Sequence, residues 1–276
     1  MQIPDFPLPS NPSVEIRFRM PDVSDAMAYS GADPEQEEAL TTRYLNDMQH
    51  GENKQDAARW TAQDRRTALW WIFCNSRIDT TLTVSYACAH CHKEHYYDYD
   101  ARALDISTGV LTVEAFETVA IPVRGKSYDW VLKPLDGRAM EHLENARHSL
   151  PSPTDPAYGN ELINLRMMEL AHQAHLPTQP DDFMAAAKSR YDLITQMALD
   201  TEFAPLVARI ELMNRRLAHG LAMKIEKGKA HLLLPQHRCP ESGKEGTANY
   251  TQLYTPFRNH HFFPDFRSEW MAGLNH

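Results

Sequence analysis

Basic residues are in deficit: 28 Lys and Arg stand against 37 Asp and Glu, a formal net charge of −9 over 276 residues. That balance disfavours binding along a phosphate backbone, which requires a basic face. Long apolar runs are missing. None approaches the roughly 18 residues that span a bilayer, so no membrane partner is expected. The opening Met1-Gln-Ile-Pro-Asp-Phe6 lacks the basic and then apolar stretches of a secretory signal. Cysteine is scarce, with four residues in all. Two of them lie in a C-x-x-C pair, which fits a metal site in a reducing compartment better than a disulfide framework. Several catalytic signatures are also absent: H-E-x-x-H, the H-x-E and P-C-x-x-C pair of deaminases, the phosphate-binding glycine loops, and the G-x-S-x-G elbow. Glu94 beside His95 is the one pair that suggests acid–base work at a metal. Arg124-Gly-Lys-Ser127 resembles the end of a phosphate loop but lacks its upstream glycine, and reads as a hairpin turn.

Hydrophobic residues make up 42% of the chain, enough for a substantial core. Residues 1–13 are proline-rich and read as an extended arm. Ser13–Met20 alternates, with Val14, Ile16 and Phe18 on one face, as a half-buried strand does. Helices are expected over Pro34–Met48 and Ala57–Cys74, and strands over Thr80–Tyr86 and Tyr96–Asp100. A hairpin is expected from Ala120–Val123 and Tyr128–Leu132. From Gly137 the pattern turns helical: Arg138–His148, Asn160–His175, Asp181–Leu199 and Glu202–His219. Ser149-Leu-Pro-Ser-Pro-Thr-Asp-Pro156 breaks the series, and Gly220 stands where a C-terminal glycine stops a helix. Leu232-Leu-Leu234 leads into the last segment. The expected class is α+β, with a small hairpin or zinc-ribbon-like N-terminal part and a mostly helical C-terminal half. The corresponding units are 1–136, 137–230 and 231–276.

The chemistry-bearing feature is Tyr86-Ala-Cys-Ala-His-Cys-His-Lys-Glu-His95. Cys88 and Cys91 can place two thiolates on one ion with little strain, and zinc takes four S or N ligands in a tetrahedron. A redox C-x-x-C usually opens a helix; here strands flank it, so the metal reading is preferred. A second half-knuckle, His237-Arg-Cys-Pro-Glu-Ser-Gly243, lies far downstream. Cys239 is the third candidate ligand. Ser242 stands where a second cysteine would, so His237 is the favoured fourth ligand, with His95, His92 and His90 as alternatives. Cys74 ends an aromatic helix and reads as a core residue.

The order of these features resembles the tailed-bacteriophage baseplate hub assembly and tail morphogenesis proteins. The resemblance rests on Leu8-Pro-Ser10 before Val14-Glu-Ile16, on Phe73-Cys-Asn-Ser76 before the C-x-x-C, and on Tyr97-Asp-Tyr-Asp-Ala-Arg-Ala-Leu104. It continues through Gly125-Lys-Ser-Tyr128, Leu132-Lys-Pro134, His219-Gly220, the turn at Cys239 and the tail His261-Phe-Phe-Pro-Asp-Phe266. It covers most of the chain, through short motifs, and departs from the pattern at Ser242. It implies a non-enzymatic morphogenesis protein binding tail or baseplate partners in the host cytoplasm, with the virion as a further location. The residues themselves leave two other classes open, a zinc-dependent hydrolase and a zinc-ribbon nucleic-acid binder. Phe6, Phe257, Phe262, Phe263 and Phe266 are expected to act as partner-binding anchors, the alternative being that Phe262, Phe263 and Phe266 cap the chain's own core.

Overall fold

The computed structural model describes residues 2–31, 33, 35–226, 229–241 and 249–266. Strands β1 (Phe6–Leu8) and β2 (Asn11–Ile16) form an antiparallel pair, followed by helices α1 (Val23–Tyr29), α2 (Glu37–Met48) and α3 (Ala62–Ser76). Strands β3 (Thr81–Ala87) and β4 (Glu94–Asp100) make the hairpin that carries the C-x-x-C, and β5 (Glu117–Val123) and β6 (Lys126–Leu132) make a second. Helix α4 (Gly137–His148), helix α5 (Tyr158–Gln173), strand β7 (Ala174–His175), helix α6 (Phe183–Ile194) and helix α7 (Ala204–Arg216) follow. The chain then returns to strands: β8 (Met223–Glu226), β9 (Lys229–Leu233), β10 (His237–Arg238), β11 (Tyr250–Thr251) and β12 (Tyr254–Pro256). The expected mixed α+β class is observed as helices with small antiparallel sheets. Among the described residues no helix is long and apolar enough to cross a membrane.

Local sequence explains most element ends. Asp22 and Asp25 form a reciprocal cap on α1, and Thr61 and Asp64 do the same on α3; each satisfies backbone N–H groups that have no partner inside the helix. Asp136 and Asp182 cap α4 and α6 through their side chains. In the β5–β6 turn, Arg124 and Gly125 both take positive φ, 50° and 76°. That two-residue geometry matches the twist of a hairpin, so Arg124 and Gly125 form its turn and Lys126 and Ser127 already pair in β6. The Glu202 carboxylate accepts the Arg124 and Gly125 N–H groups at 3.0 and 3.1 Å and holds the turn against the start of α7.

Buried apolar side chains gather into two clusters. The first takes residues Ile3 to Leu104 and then Leu221 to Phe263; the second takes Leu111 to Leu217. The β5–β6 hairpin packs with α5 and α7, and Leu232, Leu234, Leu253 and Phe257 pack with the N-terminal elements. The two crossings between clusters run side by side, with Gly109 and Gly220 exchanging N–H···O bonds of 2.8 Å. Gly220 has φ +68°, and a Cβ there would overlap the Thr67 hydroxyl, so only glycine fits. Close by, His219 contacts Thr61 Oγ1 at 2.7 Å, pinning the crossing to the start of α3.

The expectation that the end aromatics are free anchors is corrected by their burial. Phe6 and Phe263 are each 1% exposed and Phe262 4%. Phe263 sits 5.1 Å from Tyr44 and 5.7 Å from Tyr29, ring centre to ring centre. A proline-rich segment can pair at an edge, and here β1 pairs with β2 while the Phe6 ring enters the core. Phe266 alone among them stays half-exposed.

Candidate metal centre

In the β3–β4 hairpin Leu82, Val84 and Tyr86 share the inward face, and Tyr97 and Tyr99 answer from the partner strand. Because side chains alternate, His95 shares the face of Tyr97 and Tyr99, while Glu94 points out and is exposed. Glu94 therefore stands away from the thiols and is not placed to act as their base.

The connecting turn is built around Cys88. Its N–H donates to Lys93 O at 2.9 Å, its carbonyl accepts from His92 N–H at 3.0 Å, and its sulfur accepts from His90 N–H at 3.4 Å. His92 takes a φ of +59°, the left-handed conformation that closes the turn. The C-terminal strands come alongside. Cys239 N–H donates to Asn249 O at 2.9 Å, Ala89 N–H donates to Thr251 Oγ1 at 3.2 Å, and Lys93 pairs with Glu241 at 2.8 Å.

Among the described residues, one group of at least three His, Cys, Asp or Glu side chains has metal-binding geometry: Cys88, Cys91, His95 and Cys239. Their ligand atoms all lie within 4.8 Å of one another, and Cys91 Sγ is 3.1 Å from His95 Nε2. Ligands of one tetrahedral zinc lie about 3.5–3.8 Å apart, given bonds of ~2.0–2.3 Å. The cluster therefore needs only small side-chain shifts to close on one ion.

His237, the favoured fourth ligand from sequence, stands outside the cluster. Its Nδ1 is 2.6 Å from the Tyr86 hydroxyl, and its ring stacks on Tyr97 at 4.2 Å. The physical reason is competition: the Tyr86 hydroxyl and the Tyr97 ring hold the imidazole, and β10 ends at Arg238, the one residue between His237 and Cys239, so Cys239 follows the strand rather than continuing it. His90 and His92 are exposed on the turn; His90 Nε2 instead contacts Asn249 Nδ2 at 3.1 Å. Ser242 lies outside the described residues. The signal for His95 was available in the alternation of β4, counted back from the buried Tyr99.

The thiols differ electrostatically. The backbone N–H of Cys91, then that of His90, holds the Cys88 thiol down to about 6, helped by Thr251 and Cys239. Burial raises the Cys239 thiol above its ordinary value. A cation held here would favour the thiolate form of both. Cys74 takes no part: it is buried in the first cluster, and burial pushes its thiol up to about 12.

No family model, curated protein or solved structure matches the chain.

Proposed function

We propose that this chain is a non-enzymatic morphogenesis protein of a bacteriophage tail or baseplate, in which a structural zinc clasps the β3–β4 hairpin to the C-terminal strands. The observation that carries the zinc reading is the ligand set, three cysteines and a histidine from two segments far apart in sequence. Three sulfurs favour zinc over hard cations, and four protein ligands leave no position for substrate, which is the arrangement of structural rather than catalytic sites. The assembly reading rests on the motif order described above. It is supported by an apolar groove of about 430 Å³ lined by Pro21, Val23, Ile78, Phe262, Pro264 and Phe266. Val23 and Ile78 in its lining expose 67 and 87% of their surface, as contact surfaces do.

Two measurements on the purified protein test this. Native mass spectrometry is expected to find one zinc per chain, lost in Cys239→Ser. Co-expression with the other tail and baseplate products of the same genome is expected to give a complex of defined stoichiometry. A protein that carries no zinc refutes the clasp. A zinc-loaded protein that joins no tail component, from a genome whose plaque formation survives its deletion, refutes the assembly role.

A further inference from the structure

The second cluster holds a concentration of positive charge that the clasp does not use. Lys133, Arg138, His142, His172, His175 and Arg190 meet where β6, α4, α5, β7 and α6 join, with Asp136 as the carboxylate among them. His142 Nδ1 lies 2.8 Å from His172 Nε2, and His175 Nε2 lies 2.9 Å from the His172 carbonyl. The Phe183 ring stacks on His172 at 5.1 Å and lies under the Arg138 guanidinium at 4.5 Å. Asp136 is already committed: it accepts from Ala139 N–H at 2.9 Å and from Arg138 Nη2 at 2.6 Å.

Two donors remain. Arg190 gives Nε to Ala171 O and Nη1 to Gln179 Oε1, each at 2.6 Å, but its Nη2 has no partner. The Nδ1 of His172 has none either. Both residues are buried, 1% and 2% exposed. Buried donors are seldom left without an acceptor, and a buried guanidinium needs a countercharge. A water molecule would supply the first and not the second.

We propose that this junction binds one small inorganic anion of about chloride's size, accepting from Arg190 Nη2 and His172 Nδ1. The tautomers are then fixed. His142 donates its Nδ1–H to His172 Nε2, which leaves His172 Nδ1–H free to donate to the anion. The anion is small because both donors are closed off from solvent beneath packed helices; a phosphate ester would require them to part. Burial, then the surrounding cations, holds His172 down to about 3 and His175 to about 4. Both rings are therefore neutral at ordinary pH, and the countercharge for the anion is the Arg190 guanidinium.

The experiment is thermal unfolding of the zinc-loaded protein at neutral pH and constant ionic strength, with bromide replacing gluconate. The expected result is a Tm that rises and saturates with bromide, and a saturable part that disappears in Arg190→Gln. Because Arg190 also braces α5, a crystal of the unaltered protein grown in bromide provides the second readout, an anomalous peak bonded to Arg190 and His172. A lone water at that point overturns the proposal. So does a Tm that stays constant or drifts linearly without saturating as bromide replaces gluconate, which is a general salt effect. A bromide peak without stabilisation in solution marks an adventitious ion only and also overturns it.

Discussion

Residues 111–217 bury one complete indole, Trp130, among leucines, isoleucines and alanines contributed by neighbouring helices. The cluster around them is different in kind. It is rich in rings, such as Tyr29, Tyr44 and Phe263 meeting at 5.0–5.7 Å, and its members run from Ile3 to Phe263. One region closes through contacts near in sequence. The other closes only when two distant stretches of chain find each other, and closing so long a loop costs entropy that local packing does not incur. The thiol cluster lies at that second kind of junction. A cross-link by metal does most where the chain it joins is longest.

The comparison can be broken most forcefully at the metal. Cys239→Ser is expected to destabilise the protein by more than about 4 kcal/mol, among the largest single-residue effects. Hydrogen exchange should quicken in β3, β4, β10 and β11 first, with α5 to α7 protected longest. Equal loss across both clusters would show them to be one cooperative unit. His95→Ala should lower metal occupancy while His237→Ala leaves one ion per chain, as measured by mass spectrometry.

Next come the buried rings. Phe263→Ala and Trp130→Ala should each cost about 3–5 kcal/mol in denaturant unfolding. Their hydrogen-exchange footprints should lie in opposite clusters. At the paired crossing, Gly220→Ala forces a Cβ towards Thr67 at a positive φ and should cost about 2 kcal/mol.

A smaller effect concerns the seam of α2 and α4. Burial pushes the Glu144 carboxyl up to about 7. Folding thus favours its protonated form, and that contribution is present at low pH and lost as pH rises through 7. The Tm should fall from this source between pH 5 and 8, and Glu144→Gln should flatten the slope. The smallest expected change is a gain. His92→Gly relieves a side chain at φ +59° and should raise stability by less than about 1 kcal/mol.

The two regions also differ in how readable they were. In the second cluster α6 carries its own capping residue, Asp182, and the β5–β6 turn announces itself in Arg124-Gly125. In the first cluster, periodicity located α3 and the β3–β4 hairpin, and the C-x-x-C marked half of the centre. What stayed hidden was pairing at long range. Phe6 and Phe263 looked like free anchors because nothing local says which distant surface will cover them. The strand Ala174–His175 is too short to alternate, and it appears as a strand only because β6 offers Val131 and Leu132 as partners. His237 and His95 were both candidates for a metal; the Tyr86 hydroxyl and the Tyr97 ring engage His237 instead, and those contacts are known only once the C-terminal strands are placed against the hairpin.

The side-by-side crossing at Gly109 and Gly220 has a consequence for the order of events at the ribosome. Residues 111–217 leave as one complete packing unit, while the N-terminal strands and α1 to α3 still lack Leu221 to Phe263. At roughly 5–20 residues per second, the nascent chain spends seconds with its middle able to fold and its beginning waiting. The middle then holds the two halves of the waiting core a few ångströms apart, so that the last stretch to emerge arrives beside its partner rather than having to search for it.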